Sequence, residues 1–228
     1  MKKEAIKSDS DTIIAEYLEK SLLYQNFAST MQNLMVNLLD NNGFKYQISM
    51  RLKSPDSIRE KIARKHPVGK VYRRLNDLTD LVGVRIVFYL ESDKQKFIEL
   101  LFREFSPDKM QIEEHDKESG YRSTHIVLQF GRKRLSLNEY RKFAGLQCEL
   151  QLTSALYHAW SEVEHGIFYK RDNRLIDVDE ESMQALKAEL ETALNHHIHS
   201  ASNIFESVAD RIKQLCIKHQ ATDLQKND

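Results

Sequence analysis

Cysteine, proline and glycine are all scarce in this chain of 228 residues, which contains two, three and seven of them respectively. Two cysteines provide no disulfide framework and favour a reducing compartment. So few prolines and glycines leave no stretch typical of a linker between domains. No apolar run reaches the ~20 residues of a membrane-spanning helix, and the N-terminus has no apolar signal core. The sequence therefore predicts a soluble, cytoplasmic protein without a membrane partner.

Net charge is absent as well, because 34 basic residues balance 34 acidic ones. This balance excludes a global electrostatic attraction to nucleic acid or to a membrane. The charge is nevertheless uneven, since the segment 51–74 carries nine basic residues against two acidic ones. The nine are Arg51, Lys53, Arg59, Lys61, Arg64, Lys65, Lys70, Arg73 and Arg74. Such a local excess can bind phosphates, and the alternative is a solvated helix face.

The glycine loops that many proteins use to bind phosphates are also missing. Gly69-Lys70 lacks the upstream glycine and the following Ser or Thr of a Walker A loop, and no Gly-x-Gly-x-x-Gly occurs. If the chain binds ATP, cationic side chains must therefore hold its phosphates.

Hydrophobic periodicity predicts an α+β fold. Apolar residues recur at helical spacing over 11–40 and predict one long amphipathic helix, and Ser54-Pro55 is typical of a helix start. Further helices are expected at 93–105, 154–168 and 180–217, strands at 46–50, 82–90, 126–130 and 146–153, and a polar, mobile excursion at 131–145. We expect a central mixed β-sheet flanked by helices, in a single domain over 1–228 with a helical segment at 1–44, a core at 45–172 and a helical segment at 173–228.

Two acidic residues are candidates for a metal site. Asp80 lies just before the strand that is expected to begin near Val82. Strand alternation places Glu149 and Gln151 on one face, while Leu150 faces the core. Two carboxylates from neighbouring strands would suit Mg²⁺, which takes a few carboxylates together with substrate phosphates. The alternative is two unrelated surface acids.

The segment Gly120-Tyr121-Arg122-Ser123-Thr124-His125 is a candidate binding loop. Glycine permits a tight turn, and the neighbouring Tyr121 offers a flat surface on which a base can stack. The alternative is an ordinary loop that is anchored by a tyrosine.

Histidines suggest two further metal sites, and both are weaker hypotheses. His158, Glu162 and His165 share a helix face but lack the His-Glu-x-x-His order, so a structural role around a buried Trp160 is the alternative. The second group consists of His196, His197 and His199, which we expect to be solvated. The apolar residues of the same C-terminal segment leave open whether it packs on the domain or joins two copies in a homo-oligomer.

Five short motifs, in one order, resemble those of the RelA/SpoT-type alarmone synthetases. Arg51-Leu52-Lys53 with Ser57-Ile58-Arg59-Glu60-Lys61 resembles R-x-K-(x)₃-S-I-x-x-K, and Asp80-Leu81-Val82-Gly83-Val84-Arg85 resembles D-x-x-G-x-R. Gly120 to His125 resembles G-Y-R-S-L-H, and Glu149-Leu150-Gln151-Leu152 resembles E-x-Q-(I/L/V). Trp160 to His165, followed by Tyr169-Lys170, resembles W-x-x-x-E-H-(x)₃-Y-K. The resemblance covers residues 45–172. Each motif is weak alone, and the five together are very specific.

The resemblance implies a β-polymerase-like nucleotidyltransferase fold and an enzyme that transfers pyrophosphate from ATP to the ribose 3′-hydroxyl of GDP or GTP, making (p)ppGpp with Mg²⁺. About 45 residues precede the match, too few for the hydrolase domain of the long family members, so we expect a small synthetase. On the ATP side, the resemblance implies that Arg51 and Arg85 bind the adenine and that Lys53, Ser57 and Lys61 bind the phosphates. It implies that Asp80 and Glu149 bind Mg²⁺ and that Glu149 also accepts the proton. On the acceptor side, it implies that Tyr121 stacks on the base and that Lys117, His125 and Gln151 position acceptor or phosphates.

Two departures from the family pattern fall on the acceptor side. Thr153 stands where the family commonly has arginine, and Lys117-Glu118-Ser119 replaces the family's K-P-N. They leave open a second hypothesis, a growth-inhibiting toxin of the same superfamily that modifies the tRNA 3′-CCA end or adenine nucleotides and has an antitoxin partner. A third hypothesis is a catalytically inactive nucleotide sensor, which the intact acids and lysines argue against.

The stacking role of Tyr121 can be tested with Tyr121→Ala. Loss of one stacked base should raise the KM for the acceptor about tenfold while leaving ATP binding near its original strength. Steady-state kinetics with each substrate varied in turn would measure both. If acceptor use and ATP binding fell equally, Tyr121 would not be the stacking residue.

Overall fold

Five strands form one sheet in the computed structural model, which describes residues 2–116, 122–168 and 179–225, with side chains from 10 to 113, 123 to 168 and 179 to 219. The strands are β1 (Tyr46–Leu52), β2 (Val82–Phe88), β3 (Met110–Asp116), β4 (Arg122–Leu128) and β5 (Cys148–Ser154). Their order across the sheet is β1-β2-β5-β4-β3, which makes β5 the central strand. The predicted α+β class with a mixed sheet and flanking helices is confirmed.

Nine α-helices occur in the described ranges. They are α1 (Lys2–Glu19), α2 (Ser21–Asn41), α3 (Pro55–Lys65), α4 (Glu91–Glu104), α5 (Arg132–Leu135), α6 (Asn138–Arg141), α7 (Ala155–Phe168), α8 (Glu180–Ala193) and α9 (His199–Gln225). None of these helices, as far as they are described, combines the length and the apolarity needed to cross a membrane.

The chain divides into two compact units, and the first contains most of the sheet. It comprises Met1–Val87, Phe97–Glu114 and Thr124–Leu152. Strand β2 is buried along nearly its whole length, as is typical of a strand covered on both faces. Phe27 of α2 is fully buried against the rings of Phe130 and Phe143, with centroid distances of 5.6 and 5.4 Å. This aromatic cluster attaches α2 to the segment that connects β4 with β5. The predicted domain boundaries stay a prediction.

The second unit has a small core of its own around α7, α8 and α9. Tyr157, Trp160 and Leu194 are buried there, with Leu190 and Ile198 packed against them. The Trp160 indole donates a hydrogen bond of 3.0 Å to the Leu190 carbonyl oxygen, which satisfies the polar end of a buried ring. The structural role expected for Trp160 agrees with this packing.

Helix interruptions correct two predictions. The helix expected over 11–40 is two helices, because Lys20 adopts a non-helical conformation between α1 and α2. The helix expected over 180–217 is also divided, since residues Leu194–Ile198 form a π-helical turn between α8 and α9. His199 was expected to be solvated, but this prediction is wrong, because the residue is half-buried. Its ring nitrogen is hydrogen-bonded to the Tyr157 hydroxyl. His196 and His197 are exposed, as expected.

Two further differences concern segments without a clean hydrophobic pattern. Strand β3 was not expected, because its sequence is largely polar, which is common for a strand at the edge of a sheet. The segment 131–145, predicted as a polar excursion, contains α5 and α6 and is anchored by the buried Phe143. The mobility expected for this segment stays a prediction.

The aromatic cluster on α2 should carry a large share of the stability of the first unit. Phe27→Ala removes a fully buried ring, and we expect the free energy of unfolding to fall by about 3–5 kcal/mol. Chemical denaturation monitored by circular dichroism would measure it. Leu22→Ala is the matched control on the same helix, since Leu22 is 67% exposed and its loss should change stability by less than about 0.5 kcal/mol. Equal effects would show that the cluster does not anchor α2.

Candidate functional site

A sharp connection between β1 and α3 positions the first group of candidate residues. Ser54 caps α3 by accepting a hydrogen bond of 3.2 Å from the Ser57 backbone nitrogen, and Pro55 occupies the first turn. The Lys53 backbone nitrogen donates to the Leu81 carbonyl oxygen at 2.9 Å, which ties the end of β1 to the start of β2. The connection therefore places Lys53 beside Asp80, and the predicted helix start at Ser54-Pro55 is confirmed.

Two lysines converge on the Asp80 carboxylate. Lys53 Nζ lies 2.6 Å and Lys61 Nζ 2.7 Å from the same oxygen, Asp80 Oδ2. All three side chains are largely buried, with between 12% and 16% of each exposed. Burial raises the pKa of Asp80, but the hydrogen bonds and charges of Lys53 and Lys61 outweigh it, so this pKa lies below its usual value. The carboxylate is therefore ionised at neutral pH and holds two cations together.

The second oxygen of Asp80 is a buried acceptor without a partner. Asp80 Oδ1 has no hydrogen-bond partner among the described residues. An unsatisfied buried carboxylate oxygen costs free energy, so it needs an explanation such as an ion. It is thus a buried carboxylate oxygen that no described residue satisfies, next to the paired lysines.

Glu149 is held on β5 by a short polar network. Cys148, Leu150 and Leu152 are fully buried, so the intervening Glu149 and Gln151 face the other side, as predicted from the alternation. Gln151 Nε2 donates to Glu149 Oε2 at 2.7 Å, and Gln151 Oε1 accepts from Arg85 Nε at 3.4 Å. Gln151 therefore links the acid on β5 to the arginine on β2.

His125 reaches Glu149 from the neighbouring strand. It lies opposite Gln151 in the antiparallel β4–β5 pair, and its Nδ1 is 3.4 Å from Glu149 Oε1. Burial raises the pKa of Glu149, but the hydrogen bond and charge of His125, with the hydrogen bond from Gln151, bring it below its usual value. The charge of Asp80 acts on Glu149 in the opposite direction and raises this pKa. Asp80, just before β2, and Glu149, on the adjacent strand β5, thus lie near enough to repel each other.

Two arginines border a small cavity beside these acids. The cavity measures about 200 Å³ and is lined by Ser49, Arg51, Gly83, Arg85 and Gln151. A Cβ atom at residue 83 would come within 3.3 Å of Arg51 Cγ and Nε, so the missing side chain of Gly83 lets Arg51 lie against β2. Arg51 and Arg85 therefore face one space.

Other candidate residues lie elsewhere or outside the described ranges. Lys117 and Tyr121 fall outside the residues that the structure describes, as do Tyr169 and Lys170. In the described part of the chain, no group of three or more His, Cys, Asp or Glu side chains is arranged to hold a metal. The helix-face hypothesis for His158, Glu162 and His165 therefore finds no support, and His158 Nδ1 lies 3.8 Å from Glu162 Oε1.

Tyr72 is a site residue that the sequence analysis missed. Its ring is buried and lies under two ammonium groups, Lys61 Nζ at 5.9 Å and Lys70 Nζ at 5.6 Å from the centroid. An aromatic face attracts cations at this distance, so Tyr72 helps to orient Lys61. The available signal was a lone aromatic residue inside the basic segment 51–74.

Comparison with known proteins assigns the fold first. The structure of small alarmone synthetase 1 from Bacillus subtilis bound to its product pppGpp aligns with a TM-score of 0.64 at 17% identity, over 88% of this chain and 99% of that one. The structure of the same protein bound to AMPCPP aligns with a TM-score of 0.59 at 19% identity, over 86% and 98%. This chain therefore has the fold of the small alarmone synthetases.

The sequence assigns the family. A model of the region found in RelA / SpoT proteins matches residues 50–174. The chain belongs to this RelA/SpoT family, as the motifs predicted. It is similar to the GTP pyrophosphokinase YwaC of Bacillus subtilis (strain 168), with 24% identity over 194 residues, which are 81% of this chain and 89% of YwaC.

The lowered pKa values of Asp80 and Glu149 predict a dependence of stability on pH. A carboxylate whose pKa is lower in the folded state stabilises the protein above its unfolded pKa of about 4, and this stabilisation is lost as pH falls through the folded value. Asp80→Asn should therefore be less stable than wild type at neutral pH and lose less stability below about pH 4. Urea unfolding over a series of pH values would measure both.

Asp56→Asn is the matched control for this measurement. Asp56 lies on α3 near Lys53 and Lys61 in sequence, but its side chain is 88% exposed. We expect this variant to keep the wild-type acid dependence. If wild type and Asp80→Asn lost stability equally steeply as the pH falls, Asp80 would not be a source of the acid dependence. Glu149, whose pKa is also lowered, should leave a shallower dependence in Asp80→Asn.

Proposed function

We propose that this protein is a pyrophosphokinase that transfers the β,γ-pyrophosphate of ATP to the ribose 3′-hydroxyl of GDP or GTP. The observation that carries the proposal is the convergence of Lys53 and Lys61 on Asp80, within electrostatic reach of Glu149. Attack on a phosphorus atom builds negative charge on phosphate oxygens, and gathered cations stabilise such charge. The arrangement is therefore suited to phosphoryl chemistry rather than to hydrolysis by a nucleophilic side chain.

On this proposal Asp80 and Glu149 hold Mg²⁺. The buried Asp80 Oδ1 has no partner in the described part of the chain, and both acids have lowered pKa values that keep them ionised. These oxygen donors fit Mg²⁺, which takes one or two carboxylates and completes its shell with phosphate oxygens and water. When bound, Mg²⁺ would stabilise the charge on the transferring phosphates.

The donor side uses the cations around the small cavity. Arg51 and Arg85 face it from β1 and β2, and planar guanidinium groups stack on a purine base. Lys53, Ser57 and Lys61 would bind the ATP phosphates, with Tyr72 orienting Lys61. The phosphates compete with Asp80 for the two ammonium groups, so ATP binding rearranges ion pairs that are already assembled.

On the acceptor side Glu149 takes the proton of the attacking hydroxyl. A bond forms between the ribose 3′-oxygen and the β-phosphorus, the bond from that phosphorus to the α-phosphate oxygen breaks, and AMP leaves. Glu149 is ionised at neutral pH and is fixed by Gln151 and His125, so it can accept the proton without rotating. Lys117, Tyr121, His125 and Gln151 would position the acceptor.

The relatives support the same chemistry without establishing it for this chain. YwaC is a GTP pyrophosphokinase, and small alarmone synthetase 1 has been solved with pppGpp and with the ATP analogue AMPCPP.

A second candidate function is a toxin of the same superfamily, acting on the tRNA 3′-CCA end or on adenine nucleotides and held in check by an antitoxin. The specific observation is Thr153, which stands at the family's usual arginine position. Its side chain is buried, since only 4% of the residue is exposed. A neutral, buried side chain there contributes no cation to the acceptor. The ATP and magnesium side of the site is the same under both proposals.

One transfer assay distinguishes the candidates. Purified protein is incubated with γ-labelled ATP, Mg²⁺ and, separately, GDP, GTP, AMP or deacylated tRNA, with ATP alone as a further reaction. Label on GDP or GTP supports the proposed function, and label on tRNA or an adenine nucleotide supports the toxin. No transfer to any acceptor would refute both and favour a nucleotide sensor.

Glu149→Gln tests the proton acceptor in the same assay. The amide keeps the size and can still hydrogen-bond to Gln151, but it cannot accept a proton or bind Mg²⁺ well, so transfer should fall at least about 100-fold while folding is nearly unchanged. Glu99→Gln, at an exposed position on α4, should keep full activity. Substantial turnover by Glu149→Gln would remove Glu149 from the mechanism.

A further inference from the structure

A second, larger cavity lies within the first unit and shares no residue with the candidate site. It measures about 960 Å³ and is bordered by the C-terminal end of α4, the turn that precedes β3, and α5 with α6. Lys109 precedes β3 and Gly131 follows β4, so the cavity lies where β3 begins and β4 ends.

The charge of this cavity is strongly positive. Five basic side chains line it against two acidic ones, Glu104 and Asp108. Both acids are already engaged, because Arg134 lies 3.0 Å from Glu104 and Lys109 lies 3.2 Å from Asp108. The remaining three cations, Arg103, Arg132 and Lys133, have no ion-pair partner in the part of the chain that the structure describes.

Apolar and aromatic groups stand beside these cations. Phe102 and Leu137 are 47% and 49% exposed, although both are large hydrophobic residues. Tyr140 is half-buried and is held by an edge contact with Phe130, at 5.4 Å between centroids. Arg134 is fixed between Glu104 and the ring of Phe105, 4.8 Å from its centroid. The wall thus combines a rigid frame with exposed surface on which a flat group can lie.

We propose that this cavity binds a nucleotide, a phosphorylated small molecule with an aromatic base, at a site separate from the catalytic one. Three cations without acidic partners suit a di- or triphosphate, and exposed aromatic surface suits a base. The volume lies at the upper end of the ~300–1,000 Å³ range of small-molecule pockets.

Site-resolved lysine labelling tests the proposal. The protein is acylated in the presence of ATP, GTP, inorganic tripolyphosphate or adenosine, and the modification of Lys109 and Lys133 is quantified by mass spectrometry. We expect ATP or GTP to protect both lysines several-fold, tripolyphosphate to protect them less, and adenosine to give little protection. The same protection should persist in Lys53→Ala/Lys61→Ala, because the site does not depend on the proposed catalytic cations. Failure of the transfer assay would therefore leave this result unaffected.

Charge-matched variants identify the residues responsible. In Arg132→Gln/Lys133→Gln the nucleotide concentration that half-protects Lys109 should rise at least about tenfold, since hydrogen bonds to charged groups are lost. Arg141→Gln/Lys142→Gln removes the same charge from the same segment, outside the cavity lining, and should leave that concentration unchanged. The proposal is overturned if nucleotides protect neither lysine, if both double variants behave alike, if tripolyphosphate protects as well as a nucleotide, or if only a single-stranded RNA oligomer protects.

Discussion

One carboxylate, Asp80, binds two lysines that come from separate elements. Lys53 comes from the end of β1 and Lys61 from the second turn of α3, and they share the same Asp80 oxygen. Bringing two ammonium groups together in a partly buried place is unfavourable without this acid, because like charges repel strongly where water is limited. The Ser54 cap fixes the start of α3, which carries Lys61. The backbone hydrogen bond from Lys53 to Leu81 fixes the position of Lys53. The cations are thus gathered before any phosphate arrives, which lowers the entropy lost on binding.

The central strand supplies the opposite half of the site through its alternation alone. Cys148, Leu150 and Leu152 of β5 are buried in the core, so the alternating residues Glu149 and Gln151 must face the opposite side of the sheet. Gln151 then connects to Arg85, and His125 approaches from β4 in fixed register. The acid is held by neighbours on two strands, a precision that a loop would not provide.

Regular patterns made much of this accessible from the sequence. Alternation placed Glu149 and Gln151, the Ser54-Pro55 pair placed the start of α3, and ordered motifs identified the family. The edge strand β3 was not predicted, because its exposed side chains follow no apolar alternation. The role of Tyr72 was not predicted either, because its contacts with Lys61 and Lys70 exist only in the folded structure. The pairing of both lysines with a single Asp80 oxygen likewise depends on packing between distant segments, which composition and spacing do not encode.

The π-helical turn at Leu194–Ile198 has a consequence for everything that follows it. Such a turn holds more residues than an α-helical one, and each added residue advances the chain by about 100° around the helix axis. The angular phase of α9 relative to α8 is therefore set by this turn, and it is the phase at which His199 faces Tyr157 while Leu194 stays in the core. Phe205, Val208 and Ile212 are exposed apolar residues of α9. Removing one residue from the π-helical turn would therefore point these three side chains in a different direction around the helix axis, although none of them is changed.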